Sequence, residues 1–267
     1  MASLLVAAAL LWLVVARRVR AARGPAAVSR GRNALFLAGL GTVAVALASP
    51  VDAGAATRFS IHMVQHLLLA LVAAPLLVLA RPLTLALQAS TTATRRRLVL
   101  LLHRWPLALL SSPLVAWGGF ALVMWATHFS PLYQAALTNP GLHAMEHLGY
   151  LGSAMLFWSA VAAVDPSPAR LSPPARILYV FLAMPQMTFL GLAIYSARHV
   201  LYPFYGVGPA ALADQRLAGA LMGASGVLVV VPAAGALLLD WWAREERAAA
   251  RADARLDRRL GLGGDPS

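Results

Sequence analysis

The sequence predicts an all-α polytopic membrane protein, a bundle of seven transmembrane helices with its N-terminus outside and its C-terminus in the cytoplasm. Three observations predict this class. The 267 residues are 60% hydrophobic and 12% charged, and their mean hydropathy is +0.70, which is well outside the usual range of soluble domains. The apolar residues form seven runs, and the arginines lie in the gaps between them. The lipid bilayer is therefore the expected partner of most of the chain.

The seven runs approach or exceed the length needed to cross a hydrocarbon core of about 30 Å. They are 2–16, 33–50, 59–80, 112–128, 142–163, 176–198 and 214–242. The first is the shortest, since about 15 residues at 1.5 Å each fall short of the core thickness. It lacks a preceding basic segment and a clear cleavage pattern, so we interpret it as a retained signal anchor rather than a signal peptide.

The arginines predict the orientation. All 22 basic residues are arginine, and only Arg58, Arg198 and Arg216 lie on one side of the predicted spans. The positive-inside rule assigns the Arg-rich side to the cytoplasm. A net charge of +12 suits nucleic-acid binding when it covers a soluble domain, but here the charges flank apolar spans. We therefore expect no nucleic-acid partner.

These patterns divide the chain into two parts. Residues 1–243 form the predicted transmembrane domain, and residues 244–267 form an Arg-rich cytoplasmic tail. The tail is expected to be helical to Leu260 and frayed over 261–267. Three tyrosines are expected to anchor the bundle at its outer interface; they are Tyr133, Tyr202 and Tyr205.

Two similar pentads carry the strongest functional signal, HMVQH at 62–66 and HAMEH at 143–147. Each pentad places two imidazoles one helical turn apart on one face, and Gln65 or Glu146 shares that face. This spacing is typical of metal ligands. Both pentads begin spans that run in the same direction, so they lie at the same membrane face. We expect them to converge there.

Other polar groups lie at the outer ends of the spans, where ionisable residues usually mark a site. His128 ends the fourth span and is a further candidate ligand. His199 ends the sixth span, and whether it belongs to the site is left open. The cytoplasmic His103 is expected at the surface. The candidate supporting residues are Asp52, Gln65, Glu146, Asp214 and Gln215, and the candidate soft ligands are Met63, Met145, Met184 and Met187.

The types of candidate ligand are compatible with several metal ions. The chain has no cysteine, so thiolate ligands are excluded. Imidazole suits copper, zinc, iron and nickel, and nearby thioethers favour Cu(I), so copper is preferred. A buried hydrogen-bond network without metal is the structural alternative. The pentad 143–147 also fits the H-x-x-E-H zinc-peptidase pattern with Glu146 as general base, and paired histidines can bind haem. A zinc metallohydrolase and a haem-binding electron carrier therefore stay open.

Prolines and small residues within the spans predict how the helices bend and pack. Pro75, Pro185 and Pro232 lie inside apolar spans, where each removes a backbone hydrogen bond and is expected to kink the helix. Small residues in the last span, among them Gly219 and Gly223, allow close helix packing.

Several motifs occur in a recognisable order along the chain. Besides the pentads they are Ile61–Leu68, Ala74–Leu77, Arg81-Pro82, Trp125–His128, Pro131–Tyr133, Phe157-Trp158, Leu201–Pro203 and Asp214–Gly219. Together they resemble the CtaG-like family of cytochrome c oxidase assembly proteins over residues 57–226. Gly223 departs from that pattern, in which an aromatic residue is expected.

The resemblance implies a multi-pass protein of the bacterial plasma membrane that helps copper reach a haem–copper oxidase. Its implied partners are cytochrome c oxidase subunits and copper donors, and no catalytic turnover is required. By position, Asp214 and Gln215 match the family's late Asp-Gln motif. The residues that match its outer-face histidines are His62, His66, His128, His143 and His147.

Overall fold

The structure, a computed structural model, describes residues 1–260, so the predicted fraying of 261–267 lies outside the described residues. It is all-helical, with 84% helix and no strand in that range, which confirms the predicted class. The helices are α1 (Ala2–Arg23), α2 (Arg30–Leu47), α3 (Pro50–Ala55), α4 (Phe59–Leu67), α5 (Ala74–Leu79), α6 (Pro82–Ala89), α7 (Thr92–Leu102), α8 (Leu107–Leu110), α9 (Pro113–His128), α10 (Pro131–Thr138), α11 (Pro140–Ala162), α12 (Pro173–Phe181), α13 (Ala183–Ser196) and α14 (Pro209–Leu260). Single turns of 3₁₀ helix lie at Pro25–Ala27 and Pro203–Tyr205, and a π-helical segment, Leu68–Ala73, joins α4 to α5.

Among the described residues, five helical segments are long and apolar enough to cross a membrane. They are Ala2–Arg23, Arg30–Ala55, Phe59–Ala89, Pro173–Ser196 and Pro209–Leu256. These segments cover five of the seven predicted spans. The other two positions are occupied by α9, which has 16 residues and is about 24 Å long, and by α11, which carries the second pentad. The number seven stays a prediction.

Pro75 disturbs its helix as expected and creates a tie to α11. In the π-helical segment, the N–H of Ala74 reaches back five residues to the carbonyl of Leu69. The next residue is Pro75, which has no N–H for the carbonyl of Ala70. The indole Nε1–H of Trp158 donates to that carbonyl at 2.9 Å instead. The helices that carry the two pentads are thereby joined.

The other two prolines differ in their effect. The predicted sixth span is interrupted at Leu182, between α12 and α13 and three residues before Pro185. An interruption there is expected because the proline ring clashes with the backbone of the preceding turn. By contrast, α14 continues as one helix through Pro232.

The last helix, α14, packs against several other helices. It contacts α4, α12 and α13, while α11 packs between α9 and α5. Against α13 the backbones approach so closely that a Cβ on Gly219 would lie 2.7 Å from the carbonyl oxygen of Gly191. This confirms the predicted close packing of small residues.

Charged side chains complete helix ends at the side of the bundle opposite the pentads. Arg176 donates from Nε to the carbonyl of Val161 at 2.6 Å and from a terminal nitrogen to that of Ala162 at 3.0 Å, at the end of α11. Asp165 accepts from the N–H of Thr84 at 2.8 Å, at the start of α6. These groups satisfy backbone atoms that a helix end leaves unpaired. Arg176, which lies on the Arg-rich side of the predicted spans, therefore also has a structural role.

The Arg-rich tail is a continuation of α14. The helix has 52 residues and passes through the predicted domain boundary at 243–244 without a break. Residues 244–256 are exposed along their whole length, and Arg244 pairs with Asp240 at 2.8 Å. The predicted helical tail is thus present as far as the described residues reach.

The close crossing of α13 and α14 predicts an asymmetric response to added methyl groups. Gly219→Ala should lower the stability by about 1–3 kcal/mol, because the new Cβ has no room against the backbone of α13. Gly235→Ala is the matched control on the same helix, since nothing lies within 4 Å of its Cβ position. Alanine there should be neutral or stabilising. Thermal unfolding of the detergent-solubilised proteins measures both, and equal melting temperatures would contradict this packing.

Candidate metal centre

The first pentad lies in α4, whose start is fixed by α14. The N-cap residue Arg58 provides no side-chain hydrogen bond to the helix. Instead, the Asp214 carboxylate accepts from the N–H of Ser60 at 3.1 Å and from the Ser60 hydroxyl. A carboxylate at this end also interacts favourably with the helix dipole. Asp214 therefore positions His62 and His66 rather than facing them as a ligand.

The second pentad lies in the first turns of α11. Asn139 is the N-cap, and its side-chain oxygen accepts from the N–H of Gly141 at 2.9 Å and of Leu142 at 3.1 Å. Pro140 occupies the first helical position, where its missing N–H has no cost. The helix thus begins a few residues before His143, so His143 and His147 lie one turn apart.

The structure brings the two pentads together at one end of the bundle. The Nε2 atoms of His62 and His66 are 2.9 Å apart. The ring centroid of His62 lies 5.2 Å from that of His143 and 6.3 Å from that of His147. Among the described residues, two sets of three have ligand atoms within 4.8 Å of one another, and we call them the outer triplet and the inner triplet. The outer triplet is His62, His143 and His147, and the inner triplet is His62, His66 and Glu146.

Burial differs across this cluster. His62 and His66 are 1% and 2% exposed, and Glu146 and His147 are each 8% exposed. His143 is only half-buried. The cluster is therefore enclosed on most sides and accessible from the side of His143.

Tyrosines surround the histidines. The hydroxyl of Tyr205 lies 2.8 Å from Nδ1 of His62 and 3.2 Å from the hydroxyl of Tyr133. Burial raises the pKa of the Tyr205 phenol above its ordinary value, so this group stays protonated. The ring of Tyr150 stacks on His66 with centroids 4.0 Å apart.

The expectation that Tyr133, Tyr202 and Tyr205 anchor the outer interface is wrong for at least two of them. Tyr133 and Tyr202 are buried, and the Tyr202 hydroxyl donates to the backbone carbonyl of His128. Tyr205 is partly buried against His62. Their hydroxyls have partners inside the bundle, which explains why they do not face the membrane surface.

His128 lies beside the cluster but in neither triplet. Its ring centroid is 6.0 Å from that of His66. Nδ1 lies 2.8 Å from the carbonyl of Met124, which can only accept, so Nδ1 carries the proton. The lone pair of a neutral ring then lies on Nε2, an atom for which the described residues offer no partner. This pattern, with one ring nitrogen held by a carbonyl and the other free, is common among metal-binding histidines.

The cluster and the adjacent His128 contain buried polar atoms that have no hydrogen-bond partner in the described part of the chain. They are His66 Nδ1, His128 Nε2, His143 Nε2, His147 Nε2 and both carboxylate oxygens of Glu146. Each unpaired buried group costs about 1–3 kcal/mol, and more when it is charged. A bound cation would satisfy several of these atoms at once. The residues present therefore fit a metal ion.

Gln65 and Gln215 support the scaffold. The amide of Gln65 donates to the carbonyl of Ala46 at 2.8 Å and to Asp52 at 2.9 Å, so it ties α4 to α2 and α3 rather than orienting an imidazole. Gln215 accepts from the N–H of Leu201 at 2.7 Å. It thereby fixes the connection that carries the buried tyrosines.

The methionines do not supply the predicted soft ligands. Met63 and Met187 pack in the hydrophobic core and Met184 packs against it, whereas Met145 is 69% exposed. The thioether argument for copper therefore fails. His199 and His103 are exposed and lie outside both triplets, as expected for His103.

Tyr150 and Tyr205 were missed as site residues by the sequence analysis. Tyr150 follows His147 by three positions, so helical spacing alone places it on the pentad's face. Tyr205 lies in an irregular connection, where no periodicity relates it to His62. Only the first could have been found from the sequence.

Proteins of three mycobacteria are similar to this chain. An uncharacterized protein of Mycobacterium bovis and one of Mycobacterium tuberculosis are each 30% identical to it over 243 residues, and one of Mycobacterium leprae is 29% identical. Each alignment covers 85% of this chain and 36% of the relative. The chain thus spans about a third of the length of these curated relatives. No solved structure matches it.

A family match covers almost the whole chain. Residues 10–244 match the model of the cytochrome c oxidase caa3 assembly factor family, Caa3_CtaG. The matched range contains every residue of the two triplets. It also extends beyond the 57–226 region whose motifs carry the resemblance described above, which is confirmed. The chain therefore belongs to the cytochrome c oxidase caa3 assembly factor family.

Proposed function

We propose that this protein binds copper at its histidine cluster and delivers it to a cytochrome c oxidase during assembly in the bacterial plasma membrane. The observation that carries the proposal is the convergence of two His-x₃-His pairs, in which Nε2 of His143, Nε2 of His147 and the Glu146 carboxylate have no hydrogen-bond partner within residues 1–260. The family supplies the assembly role. The expected partners are oxidase subunits, which receive the ion, and copper donors, which provide it.

The geometry supports a single small ion. Ring centroids within the two triplets are only 4.3–6.3 Å apart, and two ligands one turn apart on each helix favour a compact ion site. The donor atoms are imidazole nitrogens and one carboxylate, which suit copper and zinc alike. Copper is preferred because the family serves an oxidase that contains it. Binding through Nε2 of His62 requires its Nδ1–H tautomer, in which the ring donates to the Tyr205 oxygen.

We also infer that the bundle crosses the membrane seven times, with the histidine cluster at the outer face. The support is that α9 and α11 lie in the bundle alongside the five apolar segments, and that the arginines concentrate at one side. This placement gives the half-buried His143 access to copper donors outside the cell. A rim position suits a protein that must release its ion.

The copper site predicts a loss of metal from a double variant. His62→Ala combined with His143→Ala removes ligands from both pentads and should reduce bound copper to near zero, as measured by metal analysis of the purified protein. The exposed histidines provide the control, since His103→Ala with His199→Ala should leave the copper content unchanged. An equal copper content in the two double variants would contradict the proposed site.

The same variants test the function in cells. Deleting the gene should lower assembled oxidase activity, and the wild-type gene or excess copper should restore it. The double variant at positions 62 and 143 should restore activity only when copper is added. Zinc in the purified protein, with peptide cleavage that Glu146→Gln abolishes, would instead support a hydrolase.

Orientation can be measured directly because the chain has no cysteine. Gln134→Cys and Ala93→Cys place single thiols at exposed positions on α10 and α7, which lie on opposite sides of the predicted membrane. A membrane-impermeant maleimide applied to spheroplasts should label position 134 at once and position 93 only after lysis. The reverse pattern would contradict the inferred orientation.

A further inference from the structure

The two triplets share one residue, His62. Its Nδ1 is in hydrogen-bonding contact with Tyr205 at 2.8 Å, so Nε2, which lies 2.9 Å from Nε2 of His66, is the atom that can bind an ion. One lone pair binds one ion. The cluster therefore offers two overlapping positions that cannot both be filled through His62.

The two positions differ in how deeply their histidines are buried. The outer triplet contains the half-buried His143, whereas the inner triplet contains His66, which is 2% exposed. His66 also lies one helical turn beyond His62, a step of about 6 Å along α4. An ion that arrives from outside thus meets the outer triplet first.

The two positions also differ in charge. The outer triplet consists of three imidazoles, which are neutral as ligands. The inner triplet contains Glu146, and neither of its carboxylate oxygens has a partner among residues 1–260. A buried carboxylate without a counter-ion is costly, and its attraction for a cation is strong in surroundings of low dielectric constant. The inner position should therefore hold a cation more firmly.

We propose, on the basis of the copper-binding function above, that the cluster is a two-position relay with His62 as its pivot. A copper ion binds first at the outer triplet, exchanges His143 and His147 for His66 and Glu146, and is held at the inner triplet. Release follows the same steps in reverse. The hydrogen bond between His62 and Tyr205 keeps the pivot ring in place during the exchange.

The relay can be tested with the purified full chain in detergent and Cu(I) under anaerobic conditions. The measurements are copper bound per chain, the rate of loading, and the rate at which excess bicinchoninate removes the ion. His66→Ala disrupts only the inner triplet, His143→Ala only the outer one, and His62→Ala both. Glu146→Gln keeps the side-chain volume and removes the charge, so it covers the case in which His66→Ala fails to fold. His199→Ala is the control.

The relay predicts a distinct result for each variant. The wild type and the control should bind one ion and release it slowly. His66→Ala and Glu146→Gln should still bind one ion but release it about tenfold faster or more, a difference of about 1.4 kcal/mol in barrier. His143→Ala should bind one ion but load about tenfold more slowly or worse, and His62→Ala should lose affinity at both positions.

Two outcomes would overturn the relay while leaving copper binding intact. One is an unchanged release rate in both His66→Ala and Glu146→Gln. The other is a loss of copper in His143→Ala as complete as that in His62→Ala, which would indicate a single site. A wild-type protein that binds no copper would instead contradict the proposed function itself.

Discussion

Four imidazoles and one carboxylate share a small volume inside an apolar bundle, and the surrounding helices are arranged to keep them there. Removing such groups from water is unfavourable unless each finds a partner. Here Tyr205 contacts one histidine and Tyr150 stacks on another, yet several nitrogen atoms and both oxygens of Glu146 find no partner in the described chain. A bound cation would resolve this electrostatic problem, because it would pair with the carboxylate and accept the free lone pairs together.

Other polar residues of the bundle hold the pentads in position. Asp214 fixes the start of α4, and Gln65 ties the same helix to α2 and α3. On the far side of the cluster, Trp158 joins α11 to the carbonyl left free before Pro75. Each of these contacts connects different helical segments, and those of Asp214 and Trp158 join segments that are distant in sequence. The ligands are therefore set by the packing of the bundle rather than by a local loop, as a preorganised metal site requires.

Much of the fold and the centre of the site follow from simple sequence rules. Composition gives the helical membrane class, and the 3.6-residue period puts both histidines of each pentad on one face. Counting crossings brings the pentads to one end. The same rules do not predict side-chain positions that depend on contacts between different helices. Tyrosine is a residue type that commonly anchors a membrane interface, yet Tyr133 and Tyr205 lie against the histidines. Gln65 matches Glu146 in position but bonds to other helices, and Met145 has the chemistry of a copper ligand but points away from the cluster.

The central claim is that histidines of both pentads bind copper, and X-ray absorption at the copper edge of the loaded protein tests it most directly. The account predicts nitrogen and oxygen ligands with the outer scattering pattern of imidazole rings, and a clear loss of that pattern in His62→Ala. Sulfur ligands would contradict it, because the chain has no cysteine and the candidate methionines pack in or against the hydrophobic core or are exposed at the surface. An imidazole pattern that is unchanged in His62→Ala would contradict it as well.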